Sequence, residues 1–86
     1  MLNPSKNNIA NINNYSNMLN YNLEKSCFVS IAYYDLQGRI IGKFENKNQD
    51  IGIYSMSLPI SGYAKGTYFQ VIKAGDYTEA NKVILH

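Results

Sequence analysis

Short alternating segments, each closed by turn-forming residues, limit what this chain can fold into more than any other feature. Leu19, Tyr21 and Leu23 alternate with Asn20 and Asn22, and Val29, Ile31 and Tyr33 alternate with Ser30 and Ala32. That is the period-2 pattern of strands with one buried face. Asp35-Leu36-Gln37-Gly38 separates Cys27–Tyr34 from Arg39–Phe44. An aspartate at the first turn position accepts backbone N–H bonds, and a glycine supplies a positive φ, so the two segments are expected to form a hairpin.

The rest of the chain reads in the same way. A weak first strand is expected over Ile9–Asn13 and a second over Met18–Leu23, followed by a turn at Glu24-Lys25-Ser26. Glu45–Asp50 reads as a polar loop, and Ile51–Leu58 as a strand ended by Pro59, with Ile51 and Ile53 opposing Tyr54, Met56 and Leu58. Ile60–Lys65 forms a longer turn around Gly62, and Gly66 opens a strand over Thr67–Lys73. Tyr68, Gln70 and Ile72 share one face of that strand and Phe69 with Val71 the other, as in a central strand or one under a loop. Ala74-Gly75-Asp76 turns the chain into a last strand, Tyr77–Leu85. Residues 1–7, with Pro4, read as a linker, leaving 8–86 as one domain. About seven strands at a spacing of about ten residues imply an all-β antiparallel sandwich. A chain of 86 residues has room for one such domain and a single thin core.

Composition excludes several function classes. The net charge is +2, and the eight basic residues are scattered singly, so a nucleic-acid footprint is missing. The lone cysteine, Cys27, makes no internal disulfide and reads as a small strand hydrophobe. No apolar run approaches the ~20 residues of a membrane span. Residues 1–14 are polar and asparagine-rich, unlike a signal peptide; if the domain is exported, it is expected to be a fragment of a longer chain whose signal lies upstream.

Catalytic equipment is sparse. His86, the only histidine, ends the sequence, so neither a histidine base nor a Cys–His pair nor a histidine-based metal cluster is expected. Asp35, Asp50 and Asp76 fall at turns, and Glu24, Glu45 and Glu79 near strand ends, where capping or solvation accounts for them. The glycines stand alone, so no phosphate cradle is present, and no cofactor or metal is expected. Eight tyrosines, with no tryptophan, supply strand filler or a sugar-stacking platform. Tyr21, Tyr33 and Tyr68 read as core residues, and Tyr15, Tyr54, Tyr63 and Tyr77 as surface candidates. On the residues alone, the chain reads as a binding or recognition module rather than an enzyme.

Four ordered segments carry a resemblance. Val29-Ser30-Ile31-Ala32-Tyr33-Tyr34-Asp35-Leu36-Gln37-Gly38-Arg39-Ile40-Ile41 has alternating apolar residues leading to Asp, two variable residues and Gly-Arg. Lys65-Gly66-Thr67-Tyr68-Phe69-Gln70-Val71 contains Gly-Xaa-Tyr, Thr78-Glu79-Ala80-Asn81-Lys82-Val83-Ile84-Leu85 closes on a lysine and a hydrophobic tail, and Leu2-Asn3-Pro4-Ser5 stands ahead of them. Together they resemble the type A C-terminal sorting domains of the bacterial type IX (Por) secretion system of the Bacteroidetes.

The resemblance implies an immunoglobulin-like sandwich at the end of a larger exported protein. Such a domain passes through the periplasm, is read by the outer-membrane translocon and a cargo shuttle protein, and is removed by a sortase-like surface peptidase as the upstream cargo reaches the cell surface or the extracellular space. Recognition residues are then expected at Asp35, Gly38, Arg39, Gly66, Tyr68, Lys82, Val83, Ile84 and Leu85. Lys82–Leu85 would offer an edge for strand addition. Read for local structure instead, Gly38 supplies turn geometry, Gly66 close backbone approach, Arg39 a surface partner for Asp35, and Tyr68 core volume. The other readings open to these residues are a carbohydrate-binding module and a structural immunoglobulin-like spacer.

Overall fold

In the computed structural model, residues 17–86 are described in full, and residues 9–15 by backbone alone. The expected linker and the Leu2–Ser5 motif lie outside the described residues. Strands run β1 (Ile9–Tyr15), β2 (Met18–Leu23), β3 (Cys27–Tyr34), β4 (Ile40–Gln49), β5 (Gly52–Ser57), β6 (Gly66–Ala74) and β7 (Tyr77–Leu85). They form two antiparallel sheets, β1-β2-β5 and β4-β3-β6-β7. The chain crosses between sheets after β2, β4 and β5, so β2 meets β5 and β3 meets β6 across long sequence separations. Relative to the constant-type immunoglobulin sandwich, the fourth strand pairs with the third rather than the fifth.

The core lies between the sheets and follows the alternation of the sequence. Leu19, Tyr21 and Leu23 of β2 face Val29, Ile31 and Tyr33 of β3 and Tyr68, Ile72 and Ala74 of β6, with Leu58 and Ile60 closing one end. Tyr33 is its aromatic centre: Phe44 and Tyr63 meet it edge-on at centroid distances of 5.4 and 6.0 Å, and Tyr68 lies tilted at 6.3 Å. Edge-on geometry matches the electron-rich ring face to the electron-poor edge. Gln70, placed among apolar neighbours by the alternation, is fully buried and donates to the Tyr33 hydroxyl at 3.5 Å.

Four sequence expectations change. First, Glu45–Gln49 is not a loop but the second half of β4, paired with β3 through Cys27↔Gln49. The ladder is interrupted twice, around Phe44 and around Ile41. An extra residue at a bulge re-aims the side chains beyond it; here it lets Phe44 reach Tyr33 and leaves polar residues on the inner face after it. Second, β1 extends to Tyr15, and β5 is confined to Gly52–Ser57.

Third, Tyr54, Tyr63 and Tyr77, read as surface candidates, are half-buried and pack against the core; Tyr15 has no described side chain. Fourth, Gly66 has no atom within 4 Å of where a Cβ would stand, so close approach does not explain it; its φ of +145° does. Close approach belongs to Gly42, opposite Tyr33, where a methyl group would meet the Tyr63 hydroxyl and the Phe44 ring.

Candidate functional site

The Asp35 turn is tightly organised. The Gly38 amide donates to the Asp35 carbonyl at 3.0 Å, and Gly38 adopts φ +84°, the left-handed conformation expected of it. Asp35 Oδ1 accepts from the amides of Gln37 and Arg39, and Oδ2 from Arg39 Nε, all at 2.9 Å. The Arg39 amide, followed by the guanidinium hydrogen bond and charge and the Gln37 amide, holds the Asp35 carboxyl below its ordinary 3.8. A depressed carboxyl contributes stability that is present above the unfolded value and lost as the pH falls through the folded one. The turn is therefore expected to be invariant at neutral pH and to loosen only below pH 3.8, with the Gln37 and Arg39 amide resonances titrating together. A midpoint above 3.8 in an NMR titration contradicts this.

β7 is an edge strand whose register with β6 is unbroken from Gly66↔Leu85 to Ala74↔Tyr77. Val83, opposite buried Tyr68, and Leu85 pack against the core, whereas Lys82 and Ile84 point outward. Toward the other end, Glu79 accepts from the Tyr77 hydroxyl and from Asn81 Nδ2. The hydrogen bond to Glu79, then burial, pushes the Tyr77 hydroxyl up to about 12. The nine expected recognition residues thus divide by face. Asp35, Gly38, Arg39, Lys82 and Ile84 are outward or at the turn, while Tyr68, Val83 and Leu85 are turned in, and Gly66 contributes backbone. The Tyr68 hydroxyl donates to the Ala64 carbonyl at 2.6 Å, and its ring belongs to the core.

The turn and the closing strand meet on one surface. A shallow cleft of about 310 Å³ on the outer face of the four-stranded sheet is lined by Tyr34, Asp35, Leu36, Gly38, Phe69, Val71, Lys73 and Ala80. Phe69 stands between Tyr34 and Lys82 in the ladder, and Val71 between Ala32 and Ala80. Leu36 and Ile84 are 63% and 54% exposed, an apolar face uncovered by any described segment. Sequence reading did not place Leu36, Phe69 or Val71 among the recognition residues. The available signal was that both faces of the Thr67–Lys73 strand are apolar, and β6 is indeed central, with its outer side open.

Nothing in this arrangement resembles a reaction centre. Burial pushes the Cys27 thiol up, away from the reactive thiolate. Among the described residues no group of three or more His, Cys, Asp or Glu side chains could hold a metal, and no helix is long and apolar enough to cross a membrane.

Comparison with known families agrees with the ordered motifs. The family model described as the secretion system C-terminal sorting domain matches residues 3–86, and that family is not an enzyme family. Comparisons with curated proteins and with solved structures each found no match. The match spans the whole sandwich, including the Asp35 turn, the Gly66 strand and the closing strand, and the chain belongs to the type IX secretion C-terminal sorting domains.

Proposed function

We propose that this sandwich is read in its folded form by the outer-membrane translocon and its cargo shuttle, through the outward side of β7 and the adjoining Asp35 turn. As a sorting domain it marks a cargo protein for type IX secretion to the cell surface or beyond. The cargo is a larger domain upstream in the same chain, the route passes through the periplasm, and a sortase-like peptidase removes the domain when the cargo is attached. The observation that carries the reading is the exposed, unbroken edge of β7, with Lys82 and Ile84 outward beside the apolar cleft. Unpaired backbone groups along such an edge template a partner strand, and alternate side chains supply selectivity.

The test is a fusion of residues 1–86 to a periplasmic reporter in a type IX-competent host. The reporter is expected at the cell surface, and a fusion lacking Lys82–His86 is expected to stay in the periplasm. Surface arrival of the shortened fusion would place recognition elsewhere in the chain.

A further inference from the structure

Beyond its bulges, β4 places Glu45, Lys47 and Gln49 on its inner face, opposite Ile31, Val29 and Cys27, with Lys47 reaching out to solvent and its ammonium 3.8 Å from Glu45 Oε2. A sandwich ordinarily fills such positions with apolar side chains. Here they form one wall of a cleft of about 390 Å³ that opens between β4 and β5, with Tyr54 on the opposite wall and Asp50 at the connection. The volume lies in the range of small-molecule sites, and the wall is polar.

Two observations distinguish this recess from a packing gap. Tyr54 stacks on Tyr21 at 5.3 Å between centroids and 15° between planes. Both hydroxyls are anchored at 2.6 Å, that of Tyr54 on the Asp50 carbonyl and that of Tyr21 on Gln49 Oε1. The aromatic platform is therefore pre-organised. In addition, Gln49 is only 8% exposed and has its carbonyl oxygen occupied, while its amide nitrogen has no partner among the described residues. No fully buried side-chain nitrogen or oxygen among the described residues lacks a partner, so this nitrogen keeps contact with solvent, and Gln49 lines the cleft. A donor held in place and left open suits a ligand acceptor.

We propose that this cleft binds a neutral sugar unit of a glycan, independently of the sorting function. The pyranose ring lies against Tyr54, whose face offers an apolar surface to ring C–H groups. Sugar hydroxyls accept from the Gln49 amide and Lys47 and donate to Glu45 and Asp50. The two carboxylates outnumber the one ammonium, which disfavours uronic acids and phosphates. A purely apolar ligand would strand the polar wall. A quaternary ammonium needs several rings facing it, and two parallel stacked rings present one face.

The experiment titrates the isotope-labelled 86-residue chain with gluco-, xylo-, manno- and N-acetylglucosamine oligosaccharides, and with oligogalacturonate as the anionic control. At least one neutral series is expected to shift the amides of residues 45–56 with a dissociation constant of about a millimolar, and Tyr54→Leu to weaken that binding about tenfold. Lys47→Ala and Asp50→Ala, at exposed cleft positions, provide the same comparison if Tyr54→Leu does not fold. The proposal is overturned if no neutral oligosaccharide perturbs these amides, if the shifts fall elsewhere, if oligogalacturonate binds as well, or if the folded variants bind like the parent. Secretion is not the readout, so a negative result leaves the sorting function standing.

Discussion

Tyr33→Ala is expected to remove about 3–5 kcal/mol of stability, the cost of emptying a large aromatic site in a close-packed interior. Tyr33 is 1% exposed and touches three other rings, from β4, β6 and the connection before β6. At about 0.05–0.15 kcal/mol per residue, a domain of 86 residues has about 4–13 kcal/mol in all, so this loss is a large share of it. A fall in melting temperature on the order of 20 °C, or no cooperative transition at all, should appear in thermal denaturation followed by circular dichroism. Tyr34→Ala is the control: Tyr34 is half-buried on the outer face, so its removal should cost about 1 kcal/mol or less. Equal losses from the two substitutions would show that the aromatic cluster does not organise this core.

The second large effect is on export. Lys82→Glu combined with Ile84→Asp is expected to abolish surface delivery of the fused reporter while leaving the melting temperature nearly unchanged. Both side chains are exposed, and neither belongs to the core cluster. This pair separates recognition from folding more cleanly than truncation does. Removing Lys82–His86 also takes away Val83 and Leu85 and the partners of Gly66, Thr67, Tyr68 and Phe69. The informative measurement sets reporter fractionation beside thermal denaturation of the isolated domain. Normal export by a stably folded double variant would show that the outward side of β7 is not what the machinery reads.

Strands whose inner residues are apolar were legible in the sequence because alternation and burial coincide: β2 and β3 follow it, as does the Asp35 turn with its glycine at φ +84°. Glu45–Gln49 was illegible for the converse reason. Its inward positions are polar because they border an open cleft, so no apolar period marked it as strand. Gly42 also passed unnoticed, since a strand glycine reveals close approach only once the Tyr63 hydroxyl above it is placed. The order of the recognition motifs could be read, but their division by face could not. Lys82-Val83-Ile84-Leu85 has an apolar residue at three successive positions, and only the pairing of Val83 with buried Tyr68 decides which of them point inward.

The bulges in β4 have a further consequence, concerning stoichiometry. The four-stranded sheet ends in two edges, but the β3–β4 ladder breaks register twice, whereas the β6–β7 ladder does not break at all. A distorted edge is a poor template for another strand, and a regular one is a good template. The sheet is therefore one-sided: it can accept a single added strand along β7, after which that edge is closed. On the proposed reading, each domain engages one receptor at a time and does not propagate into a chain of its own copies through this sheet.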